Sequence, residues 1–156
     1  FEWQFGIGAV VALGHDVITT IGLFSLLALE FNLATVAAVL TIAGYSINDT
    51  VVIYDRVREN LRRYKKLPLT ELFNKSINQT LSRTVMTSVT TLLALFALYV
   101  FGGAVIRDFA IALIWGVLIG TYSSIALAVP ILLYIRPDRG IAGDGGEKQI
   151  VEQDVT

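Results

Sequence analysis

Leu33 to Tyr54 reads LATVAAVLTIAGYSINDTVVIY: an apolar run with one polar knot, Tyr45-Ser46-Ile47-Asn48-Asp49-Thr50. A helix needs about 20 predominantly apolar residues, at ~1.5 Å each, to cross a hydrocarbon layer of ~30 Å. This stretch is long enough. Apolar residues flank the knot on both sides, so the helix does not end at Asp49, and a carboxylate is carried into the membrane.

Three further stretches qualify as spans: Phe5 to Leu29, about Arg83 to Phe101, and Phe109 to Ile135. The chain of 156 residues is 54% hydrophobic, with a mean hydropathy of +0.67. Its apolar residues come in long blocks, unlike the periodic faces of a water-soluble domain. The expected fold is all-α, a polytopic membrane protein with a four-helix transmembrane bundle. Glu30-Phe31-Asn32 turns the chain between the first two spans. A turn opened by Gly102-Gly103 and carrying Arg107 and Asp108 does so between the last two.

Residues 55–82 differ in kind. They hold Arg56, Arg58, Arg62, Arg63, Lys65, Lys66 and Lys75, most of the positive charge, while Arg136 and Arg139 follow the fourth span. An even number of crossings separates these two regions, so they share a side. The excess of Lys and Arg marks that side as cytoplasmic. Phe1 and the C-terminus then lie inside and both short turns outside. Val57, Leu61 and Tyr64 continue the helical spacing of the second span, and Pro68 ends it. Thr70-Glu71 opens a second amphipathic stretch with Leu72, Phe73 and Ile77 on one side, so the segment reads as a surface hairpin, or, for its charges, as a solvated basic loop that orients the helices. The Gly- and charge-rich tail from Gly140 to Thr156 reads as disordered. The sequons at Asn48, Asn74 and Asn78 fall in a membrane helix or the cytoplasmic loop and are discounted as glycosylation sites.

Composition excludes several functions. The net charge of -1 offers no basic field for nucleic acid, the absence of cysteine removes disulfides and thiolate sites, and a single histidine removes multi-histidine metal sites. No phosphate loop, nucleophilic triad or metal constellation is present, so neither enzyme chemistry nor a cofactor is expected. Protons are the candidate coupling ion.

The ionisable residues within the spans carry that expectation, because charge in a membrane helix is costly and usually functional. Tyr45, Asp49 and Ile53 share a helix face, with Ser46 and Asn48 at its edges. Asp49 reads either as a carboxylate that takes up and releases a proton or as half of an ion pair locking two helices. Arg83 is the strong cation near the membrane and leads a stripe of Thr87, Thr90 and Thr91, with Thr84 and Ser88 beside it. It reads as the partner of Asp49 or as a side chain snorkelling to the interface. Asp16, sharing a face with Thr19 and Thr20, reads as a helix-to-helix hydrogen bond or a second relay station. Adjacent positions diverge by about 100°, so His15 and Asp16 are not expected to face one spot, and His15 reads as a neutral core histidine. Gly116, Gly120 and Ser124 form a small-residue stripe suited to close helix packing. Pro130 is expected to kink the last turns.

The stretch GYSINDTVVIYDRVREN, Gly44 to Asn60, resembles the signature of the SecF side of the SecD/SecF family of protein-export membrane proteins. FEWQFGIGAVVALGHDV resembles the start of that family's third transmembrane helix, TLSRTVMTSVTTLLALFALYVFGG its fifth, and the pattern from Gly116 to Ser124 its sixth. The resemblance runs from Phe1 to about Ile135. It implies a piece of a six-helix half of a resistance-nodulation-division (RND) type protein, preceded in the family by a helix, an extracytoplasmic domain and another helix. It further implies a multi-pass protein of the bacterial or archaeal cytoplasmic membrane. The implied partners are SecD, fused or separate, the SecYEG translocon and preprotein substrates, with proton flow assisting export. On this resemblance Asp49 and Arg83 are the proton-relay pair and Asp16 a helper; Asn48 and Thr87, polar neighbours of that pair in the sequence, are further possible helpers. Two other classes share part of the pattern: a proton-coupled RND-type exporter of small molecules or lipids, and a purely structural subunit that stabilises the translocon.

Overall fold

The computed structural model describes residues 3–135. They form α1 (Trp3–Leu26), α2 (Leu33–Arg63), α3 (Leu69–Phe101), α4 (Gly103–Ala126) and α5 (Ala128–Ile135), with no strand among them. Four helices, counting α4 and α5 as one interrupted span, are long and apolar enough to cross a membrane. The expected tail, with Arg136 and Arg139, lies outside the described residues.

Local chemistry sets the boundaries. Asn32 caps α2: its side chain accepts from the Thr35 backbone N–H, and the Thr35 hydroxyl accepts from the Asn32 N–H, both at 3.2 Å. This reciprocal pair satisfies two of the donors left open at a helix start. α2 runs past the apolar span to Arg63. After a short connection Pro68 caps α3, which then continues unbroken to Phe101. The expected surface hairpin is therefore the continuation of two membrane helices. Nothing between Pro68 and Gly102 breaks α3, since Thr and Ser are tolerated in a helix interior where Gly and Pro are not. The two extensions are tied together. Asn60 donates to Ser76 at 2.8 Å and to Gln79 at 3.0 Å, and the Lys75 ammonium lies 3.9 Å above the centre of the Tyr64 ring.

At the opposite end Gly103 adopts φ +74°, a left-handed conformation that favours glycine. α4 starts at this residue, so Arg107 and Asp108 belong to its opening turns and not to the loop. The fourth span is interrupted at Leu127. Pro130 has no N–H to offer the Ala126 carbonyl four residues earlier, which removes one hydrogen bond where the helix breaks.

The long central contact is between α2 and α4. α3 packs against both, α1 packs against both, and α5 rests on α1, α4 and α3. α1 and α3 thus flank the α2–α4 pair on separate sides. Close approach of α2 and α4 depends on small residues: a Cβ at Gly116 would collide with the Ile42 side chain, and one at Gly120 would lie 3.4 Å from Ser46 Cβ.

The interior has three layers. Phe5, Ala12, Ile53, Tyr54, Val57, Leu61, Leu72, Phe73, Ala128, Val129 and Leu132 form an apolar cluster at the end carrying the α2–α3 connection. This places the start of α1, that connection and α5 at one end of the bundle. Phe24, Ala38, Ile42, Ala112 and Leu113 form a second cluster toward the other end. Between them lies a belt of buried polar side chains. Outward-facing positions such as Val10, Ile18, Leu40, Leu93, Phe96 and Val105 are apolar and exposed. A helix that is apolar all round belongs in lipid or against further protein.

Candidate functional site: two buried carboxylates in a hydroxyl belt

The belt contains Asp16 and Asp49, and their surroundings differ. Asp16 on α1 is 0% exposed. Its Oδ2 accepts hydrogen bonds from Ser46 of α2 and from Ser123 of α4, the latter at 2.8 Å, and its Oδ1 lies 3.1 Å from His15 Nδ1. One carboxylate therefore joins three helices. His15 and Asp16 do meet, although their Cα–Cβ directions diverge, because the half-buried imidazole leans back over the helix surface onto its neighbour. The Thr19 and Thr20 hydroxyls donate to the Asp16 backbone carbonyl, at 3.0 and 2.7 Å, and not to the carboxylate.

Asp49 lies at the seam of α2 and α3. Thr84 donates to its Oδ1 at 3.0 Å, while Oδ2 is buried with no hydrogen-bond partner. The other such buried side-chain atom among the described residues is the Trp115 indole nitrogen. Unpaired buried polar atoms are uncommon and call for an explanation. Further along the seam the Tyr45 hydroxyl lies 3.1 Å from Ser88 Oγ, which lies 2.6 Å from Thr121 of α4. Thr50 and Ser124 join α2 to α4 at 2.9 Å.

Arg83 directly precedes Thr84, the residue that bonds Asp49, and is itself exposed. It makes no contact ion pair with Asp49. The ion pairs within 4.0 Å among the described residues are His15–Asp16, conditional on imidazole protonation, and Arg56–Glu59. The Arg83 side chain instead lines a polar recess between α2 and α3 with Val52, Asp55, Arg56, Glu59, Gln79 and Thr80. Asp49 is not among the residues that line this recess. Asn48 and Thr87 are exposed, on the outer surfaces of α2 and α3. Thr87 bonds back to the carbonyls of Arg83 and Thr84.

The structure therefore brings Asp16 together with Ser46 and Ser123, and Asp49 with Thr84, and leaves Asn48 and Thr87 outside both groups. Gly116, Gly120 and Ser124 form the α4 side of the α2 contact. The donors Ser46, Ser123 and Thr84 were visible in sequence only as polar neighbours of more prominent residues. Their signal lies in fourfold spacing: Ser46 with Thr50, and Thr84 with Ser88.

Four apolar helices closed around two carboxylates and their hydroxyl donors define an integral membrane protein with an ionisable interior. The chain belongs to the SecD/SecF family: the model for "Protein export membrane protein SecD/SecF, C-terminal" matches residues 1–138. Among similar proteins is the protein translocase subunit SecF of Rhodobacter capsulatus, 62% identical over 139 residues, which cover 89% of this chain and 42% of that protein. The subunit of the same name from Rickettsia rickettsii is 60% identical over 132 residues, covering 85% of this chain and 43% of that one. The crystal structure of SecDF in its super-membrane-facing form superposes with a TM-score of 0.85 at 47% identity, covering 100% of this chain and 20% of that chain. The chain spans about two fifths of the length of the SecF relatives it matches.

Proposed function

We propose that these helices are the proton-carrying membrane part of a SecF subunit. In this reading the subunit works with SecD, and beside SecYEG, to draw preproteins across the bacterial or archaeal cytoplasmic membrane. The observation that carries it is Asp49: buried among hydroxyls, held by Thr84 on one oxygen and unpartnered on the other. Burial favours a neutral carboxyl and a nearby cation favours a charged one. With Arg83 beside it, small changes in helix packing decide between the two forms.

Asp49 takes a proton from the outer side, and its attraction to Arg83 falls away. The α2–α3 seam then relaxes, and the SecD and SecF bundles shift against each other. Release of the proton toward the basic-loop side restores the first packing, and the recess lined by Arg83 supplies a polar path in that direction. One charge falling through 100 mV is worth about 2.3 kcal/mol, a suitable size for biasing two packings a few kcal/mol apart. The basic residues of the α2–α3 connection favour a cytoplasmic position for that end. The role is that of a transport component, with protons as coupling ion and no cofactor.

The experiment is preprotein export by the full complex in membrane vesicles, with and without a proton gradient, comparing wild type with Asp49→Asn at equal abundance. Loss of the gradient-driven increment in an assembled complex is the expected result. An undiminished increment removes Asp49 from the coupling and leaves a structural subunit.

A further inference from the structure

The proton-carrier reading leaves Asp16 unused, yet it is the more completely bonded of the two carboxylates. Asp16 accepts from Ser46 of α2 and Ser123 of α4 and touches the ring of its own neighbour His15. Ser46 precedes Asp49 by three residues, about 4.5 Å along the same helix. Ser46 also faces Gly120, where α2 and α4 approach closely. A bond that fixes Ser46 therefore fixes the rotation and height of α2 one turn from Asp49. That rotation presents Asp49 to Thr84 on α3 and leaves its Oδ2 unpartnered.

We infer that Asp16 is a positioning residue for Asp49: a three-helix pin that sets α2 against α4 so that Asp49 meets Thr84 in the α2–α3 seam. This inference rests on the proposed proton-carrier role of Asp49. Asp16 has the donors that a permanently held acceptor needs, since hydroxyls from two other helices converge on one oxygen and an imidazole nitrogen meets the other. Asp49 has one donor and room to change. The ionisable or charged groups that face this region are His15 on α1, Tyr45 and Asp49 itself on α2, and Arg83 on α3. Beyond Asp108, α4 has no ionisable side chain except Tyr122, which is exposed, so its contribution is hydroxyls.

The test uses the full-length complex in membranes and a hydrophobic carbodiimide, which reacts with protonated carboxyl groups within the bilayer. Labelling of Asp49 is followed against pH by peptide mass spectrometry, alongside the pH profile of gradient-driven export. Ser46→Ala, Ser123→Ala and Asp16→Ala are expected to move the labelling midpoint at Asp49 and the export midpoint in the same direction, in complexes of wild-type abundance. Asp16→Asn, which keeps a carbonyl acceptor, is expected to stay nearer wild type. The two serine variants each remove one donor and keep the measurement informative should Asp16→Ala fail to assemble. Unmoved midpoints in assembled serine variants overturn the inference. So does carbodiimide labelling of Asp16 together with loss of gradient dependence in Asp16→Asn, which makes Asp16 a carrier itself. If Asp49→Asn keeps its gradient dependence, the carrier reading fails, while the Asp49 labelling midpoint still reports whether Asp16 positions that residue.

Discussion

The hydroxyl of Thr84 donates to Asp49 Oδ1 at 3.0 Å across the α2–α3 seam, while the neighbouring Arg83 lines a polar recess and makes no contact pair with Asp49. The carboxylate is thus held by a neutral donor and not by the neighbouring cation. Hydrogen bonds to charged groups are worth about 1.5–3 kcal/mol, and a 1.4 kcal/mol change is about tenfold. Thr84→Val is expected to reduce gradient-driven export by about ten- to a hundredfold, and Thr84→Ser to keep most of it. Comparable loss in both variants would mean that the hydroxyl does not matter.

The α2–α4 contact makes a second prediction. A side chain at Gly116 enters the space of Ile42, and overpacking of this kind costs about 1–3 kcal/mol. Gly116→Ala is expected to lower the resistance of the purified complex to denaturation by about that amount. Ile42→Ala in the same chain should restore part of it, because residues in contact are not additive. A double variant equal to the sum of the two singles would show that the two residues do not touch.

Most of the architecture was legible because its signals are coarse. Apolar length marked the four spans, Asn32 and Gly102-Gly103 marked the reversals, and Pro130 marked the interruption that falls at Leu127. In residues 55–82 the expected continuation of the second helix is present to Arg63, while the stretch opened by Thr70-Glu71 is not separate from the third span. No breaker lies between Thr70 and the third span, so one helix runs through both. In the site, Asp49 was conspicuous as an acid among Ile47, Val51 and Val52. The orientation of α3 was not. Arg83 and Thr84 differ by about 100° around the helix, and a run rich in threonine gives no preference between them. The rotation is set by Leu72, Ser76, Thr80, Thr84 and Ser88, which are buried at every fourth position. That pattern emerges only once α2 and α4 are in place to bury it. The convergence of Ser46 and Ser123 on Asp16 was hidden for the same reason, since it joins residues 107 positions apart.

The break in the fourth span is held by Tyr54, whose hydroxyl donates to the Ala128 carbonyl at 2.8 Å. Hydrogen bonds between membrane helices average about 0.6 kcal/mol and reach about 1.7. Tyr54→Phe is expected to cost an amount in that range, read from denaturant titration of the complex. A Cβ at Gly8 would meet the same hydroxyl, so Gly8→Ala should be better tolerated beside Tyr54→Phe than alone. Equal sensitivity in the two backgrounds would contradict the contact.

The most direct measurement of the central claim is infrared difference spectroscopy of the full complex in lipid between high and low pH, observing the carbonyl band of protonated carboxyl groups. The expected result is a pH-dependent band that vanishes in Asp49→Asn and persists in Asp16→Asn. A spectrum unchanged by Asp49→Asn would contradict the assignment of Asp49 as the group that takes up and releases the proton.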